Sequence, residues 1–250
     1  MNPRPGGEGL PDSRPRTCFL VQAGFGTAFT YLTSGVFLSG LAILMGAGDI
    51  LVSYLSVIVN ICGVLILIFP AFLELFTSRK RMTVALTILS RLATLFLVTI
   101  PVLFPARMQL YVFVPTVVAA FALQAQTTVV LNQWMLGFID EKRSGRYISL
   151  RQTLTLTVTV VLSLAGGRFM DLMGGKYIGF AILFAAAALM GIFEVILLAG
   201  TPDGEPYQSS SRGCRFRDIA GLPLKNRCFT GFVAYIFIFY LLLTISDSYT

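Results

Sequence analysis

Residues 177–199 read YIGFAILFAAAALMGIFEVILLA, an unbroken apolar run whose one charged side chain is Glu194. A helix advances about 1.5 Å per residue, so roughly 20 mostly apolar residues cross about 30 Å of hydrocarbon. The run is long enough to do so. Lipid offers backbone N–H and C=O groups no partners, which excludes an open strand and makes the run a helix.

Six comparable runs surround it, at about Cys18 to Met45, Ile50 to Leu75, Thr83 to Phe104, Met108 to Leu136, Ile148 to Asp171 and Cys228 to Ile245. Composition agrees, with 56% hydrophobic residues, 12% charged and a mean hydropathy of +0.79, far from a water-soluble average. Thr153, Thr155, Thr157 and Thr159 alternate with apolar residues as a barrel strand would. The run that holds them is too long and too apolar for that, so the chain reads as an all-α integral membrane protein.

Basic residues fall in every second connection. Arg4, Arg14 and Arg16 precede the first run; Arg79, Lys80 and Arg81 follow the second; Lys142, Arg143 and Arg146 follow the fourth; Arg212, Arg215, Arg217, Lys225 and Arg227 follow the sixth. The other connections hold Arg107, Arg168 and Lys176. This asymmetry puts the N-terminus in the cytoplasm of a multi-pass plasma-membrane protein, and anionic lipid headgroups account for the basic clusters without nucleic acid. The expected organisation is a disordered tail over 1–17, a six-helix bundle over 18–199, a cytoplasmic connection over 200–226 and a seventh transmembrane helix over 227–250.

The sequence has no histidine and a net charge of +7. That removes imidazole catalysis and the usual metal ligands, and no phosphate-cradling glycine loop is present. Cys18, Cys62, Cys214 and Cys228 lack paired metal or redox spacing and read as reduced thiols. A retinal protein would need a lysine deep in the last helix, whereas Lys225 lies only at its approach. Neither an enzyme, a metal nor a cofactor is expected.

Between the second and third runs the chain reads PAFLELFTSRKR over 70–81, a short turn with Glu74 before the basic cluster. DEKRSGRY over 140–147 precedes Arg151, GRFMD follows over 167–171, and Gly179, Phe180, Leu183 and Phe184 come next. Together these stretches resemble the major facilitator superfamily of secondary transporters, although the glycines and Asp-Arg pair of its first cytoplasmic turn are absent. The resemblance implies a six-helix bundle of that type followed by the start of a second. It also implies a small-molecule substrate carried by rocking two bundles about a midplane site. The missing half would be a longer C-terminal part or a second copy in a homodimer; a non-transporting scaffold is the rival.

Polar residues inside the runs fall on faces. At about 100° per residue, Gln22, Gly26, Thr30 and Thr33 share one sector of the first run. Gln124, Thr128 and Asn132 step by four along the fourth, as Ser53, Ser56 and Asn60 do along the second. In the family resembled, the first and fourth helices line the substrate path, so Gln22, Thr30, Thr33, Gln124, Thr128 and Asn132 are the candidates. The alternative is close packing and interhelical hydrogen bonding, which better suits the second run. The four threonines are expected to bond their own backbone or to pack.

Arg91 lies well inside the third run. It either snorkels to the headgroups or pairs within the membrane, with Glu194 as a partner or through a substrate contact. Glu74, Arg143, Arg146 and Arg151 group near the cytoplasmic ends, where they form either a gate network or ordinary solvated flanks. No acidic residue falls at the midplane of the first six runs, which leaves the coupling ion open.

Overall fold

The computed structural model describes residues 13–64, 78–139 and 141–202, together with Gly231 and Tyr235. The chain divides into one unit ending at Tyr207 and another from Gln208; in the second, Gly231 and Tyr235 are helical and exposed. The expected central connection and seventh helix therefore lie almost wholly outside the described residues, as do residues 1–12 and the turn holding Glu74.

The first unit is helical, with no strand among the described residues. Its helices are α1 (Ser13–Leu32), α2 (Gly35–Leu44), α3 (Asp49–Val64), α4 (Arg79–Leu103), α5 (Ala106–Leu136), α6 (Glu141–Met173) and α7 (Tyr177–Gly200). Five segments are long and apolar enough to span a membrane, counting α1 and α2 as one segment. The second expected span is described only as the 16 residues of α3, about 24 Å of helix; the described residues do not complete a six-helix bundle.

Two expected boundaries differ. Residues 13–17, expected in the tail, belong to α1, where Arg16 Nε donates to the Phe138 carbonyl at 3.0 Å and the Tyr147 hydroxyl donates to the Arg16 carbonyl at 2.9 Å. Pro15 is tolerated in the first turn, where its missing N–H has no helical role. The first apolar run is also not one helix: it breaks at Thr33 and Ser34, and Gly35 takes φ +54°, a conformation that side chains with a Cβ disfavour.

Local chemistry sets the other ends. Ser78 caps α4 by accepting the Arg81 N–H at 3.3 Å. Gln109 donates to the carbonyls of Pro101 and Phe104, both at 3.1 Å, tying α4 to α5. Gly174 and Gly175, at φ +61° and +66°, make the turn from α6 into α7.

Helix α4 packs along α5, α1 lies on α7 and α6, and α7 also meets α4. In lipid the apolar effect does not drive helices together, so close packing must. Glycines admit aromatic rings here: a Cβ at Gly166 would meet Phe37 at 2.7 Å, at Gly40 Phe180 at 2.9 Å, and at Gly191 Phe29 at 2.9 Å. Large apolar side chains such as Val36, Val102, Leu164 and Leu172 are exposed, a surface matched to lipid. Where α1 begins and α5 and α7 end, Phe19 meets Trp134 edge to face at 5.0 Å and packs with Leu131, Met135 and Leu198.

Candidate functional site

Arg91 stands halfway along α4, 12 residues past Arg79, or about 18 Å, a depth its stem does not cover by snorkelling. It pairs instead with Glu194 of α7: Nη2 and Nε reach Glu194 Oε2 at 2.8 and 2.9 Å. Both residues are buried. A lone cation at the centre of a membrane helix costs about 2.5–3.5 kcal/mol on insertion scales, and an interior partner offsets that cost.

The remaining polar atoms of the pair are taken up by neighbours. Arg91 Nη1 donates to Gln124 Oε1 at 2.9 Å, and Gln124 Nε2 donates to the Thr30 hydroxyl at 2.7 Å. Gln22 Nε2 donates to Glu194 Oε1 at 2.8 Å. Arg91 Cζ also lies 4.1 Å from the centroid of the Phe29 ring, within cation–π range. Helices α1, α4, α5 and α7 are thus joined by one continuous polar chain, in which both oxygens of Glu194 accept hydrogen bonds.

This chain borders a cavity of about 280 Å³ whose lining includes Gln22, Thr30, Arg91, Gln124, Thr128 and Glu194. Arg151 of α6 lines it too, and its Nη1 donates to Asn132 Oδ1 at 3.1 Å. Arg151 Nε and Gln22 Oε1 are buried without a partner among the described residues.

Gln22, Thr30, Gln124 and Thr128 therefore meet at one cavity, and Asn132 reaches it through Arg151. Thr33 does not: its buried hydroxyl donates to the Phe29 carbonyl of its own helix at 2.8 Å, so it finishes α1 rather than lining a path. Snorkelling is replaced by the pair with Glu194. The four gate candidates are not brought together among the described residues: Glu74 and the Arg143 side chain lie outside them, Arg146 is exposed, and Arg151 joins the cavity.

In α6, Thr153, Thr155 and Thr157 donate to backbone carbonyls three or four residues earlier, as their type suggests. Thr159 lines the cavity. Along the second stripe, Ser53 is exposed and donates to the Asp49 carbonyl; the side chains of Ser56 and Asn60 lie outside the described residues. Ser90, Thr127 and Tyr31 also line the cavity. Eight residues separate Arg151 from Thr159, a spacing that keeps both near one helical face and was the available sign of that contribution.

Compared with protein-family models and with curated proteins, the chain matches none.

Proposed function

We propose that this chain is a secondary transporter of a small solute, built on the plan of the major facilitator superfamily and working by alternating access. The observation that carries this reading is the polar cavity held among apolar helices, bordered by a buried ion pair that Gln22 and Gln124 also hydrogen-bond. Polar groups in a membrane interior are costly and mark solute or ion pathways when they face a cavity. Packing alone would account for scattered threonines, but not for Arg91, Glu194, Gln22 and Gln124 meeting at one space.

In this reading α1, α4, α5 and α7 present the solute site, and the aromatic cluster of Phe19 and Trp134 closes one end of it. The other wall is a second bundle, supplied by a longer chain or a second copy. Alternating access then follows from rocking one bundle on the other.

The test is accessibility from both sides. In a cysteine-free background, Thr128→Cys in sealed, oriented vesicles is expected to react with an impermeant thiol reagent added to either face, while Ile192→Cys, which is exposed on α7, stays slow. A static scaffold predicts labelling from one face or none, and that outcome refutes transport by this route.

The N-terminus and the 200–226 connection lie in the cytoplasm of the plasma membrane in this proposal, on the basic-residue asymmetry. With the other three cysteines replaced by serine, Cys214 is expected to resist an impermeant maleimide in intact cells and to label after permeabilisation. Ready labelling of intact cells reverses the orientation.

A further inference from the structure

We propose that the cavity binds a small monoanion, an oxyanion of carboxylate or phosphate type that docks on the Nε–Nη2 edge of Arg151 and carries a hydroxyl or N–H donor for Gln22. That this ligand is the transported solute rests on the reading above; its binding does not.

Charge comes first. Arg91 and Glu194 neutralise each other, and Arg91 has all three nitrogens engaged. Arg151 lines the same cavity, yet its one hydrogen-bond partner among the described residues is the neutral amide oxygen of Asn132. Among the described residues the cavity therefore keeps one positive charge that no carboxylate offsets, in surroundings where a charge is poorly screened. An anion of one charge restores neutrality.

Geometry supplies the class. The Nε and Nη2 groups of a guanidinium point the same way and match two oxygens of a carboxylate or phosphate. Arg91 uses the same edge on a carboxylate, with both nitrogens on the single oxygen Oε2 of Glu194. Arg151 spends Nη1 on Asn132 and leaves Nε buried without a partner among the described residues.

Gln22 supplies the second contact. Its Nε2 faces a carboxylate oxygen, which accepts and cannot donate, so the amide orientation is determined by chemistry. Oε1 is then a buried acceptor with no partner among the described residues, and a ligand hydroxyl or N–H complements it. The volume of about 280 Å³ falls just below the range of about 300–1,000 Å³ usual for ligand pockets, which limits the ligand to a small one.

Binding is read without transport. In a cysteine-free background, Thr128→Cys is assayed in micelles free of anionic lipid with two thiosulfonate reagents, one anionic and one cationic. Relative to an exposed reference cysteine, the anionic reagent is expected to be favoured about tenfold or more, the scale of electrostatic focusing in a charged cleft. Arg151→Gln should abolish the preference, whereas Arg151→Lys should retain it. Lactate and inorganic phosphate, added singly, should slow labelling saturably in the parent; the slowing should weaken with Arg151→Lys, which keeps the charge but loses the fork, and vanish with Arg151→Gln.

A preference unchanged by Arg151→Gln, no reaction with either reagent, or protection seen only after adding phosphatidylglycerol would overturn the proposal; the last makes a lipid headgroup the anion. Anion protection here with one-sided labelling in vesicles would strike down alternating access and leave the anion site standing.

Discussion

Glu194→Ala is expected to lose about 3–5 kcal/mol of stability, the range found when one partner of a buried ion pair is removed. The substitution strands the Arg91 guanidinium in the bundle and leaves Gln22 Nε2 without its acceptor. Glu194→Gln keeps an acceptor and loses the charge, so it should fall between alanine and the parent. The double variant Arg91→Leu, Glu194→Leu should recover most of the loss, because a buried pair replaced by apolar side chains is often neutral or stabilising. Recovery stays incomplete, since Gln124 Oε1 and Gln22 Nε2 lose their partners. Thermal unfolding of the purified protein in detergent measures all four, with Ile192→Ala as an exposed control. A Glu194→Ala midpoint matching that control means the pair does not hold the helices together.

Much of the fold was legible because membrane spanning depends on length and apolarity, which are local properties. The run over 177–199 became α7 within a residue of its expected end. The break in the first run was less visible, since counting apolar residues passes over Thr33-Ser34-Gly35 without interruption. The turn chemistry was nevertheless present in those three small or polar residues.

The candidate site was legible as faces and illegible as pairs. Helical periodicity placed Gln22 with Thr30 and Gln124 with Thr128, but it carries no information on how two helices are rotated or how deep one sits against another. That is why Glu194 stood as one partner among the options for Arg91, and why Arg151 was grouped with the end charges rather than with the cavity. Thr33 fails for a related reason: it shares the face of Thr30, but α1 ends there and its hydroxyl turns back to its own backbone. A hydroxyl has two uses at that position, and the sequence pattern does not separate them.

Gly26→Ala is the second large effect, and it tests the polar chain from α1. A Cβ at Gly26 would stand 2.6 Å from Glu194 Oε1, 3.1 Å from Glu194 Cδ and 3.3 Å from Gln22 Nε2. A free glutamate would swing aside, but this carboxylate is held by Arg91 on one oxygen and by Gln22 on the other. Making room means lengthening those bonds, so overpacking should cost about 1–3 kcal/mol, and valine more. Gly24→Ala on the same helix is the control. Its Cβ would meet only Leu154 Cδ2, at an ordinary 3.8 Å, and alanine favours a helix interior over glycine by about 0.5–1 kcal/mol, so that variant should match or exceed the parent. Equal midpoints for the two variants would show that the carboxylate moves freely. The decisive measurement is the coupling between sites: in a Glu194→Ala background the carboxylate is gone, and Gly26→Ala should then cost little. A double-mutant cycle whose coupling is near zero would place the damage in α1 itself rather than in its contact with the ion pair.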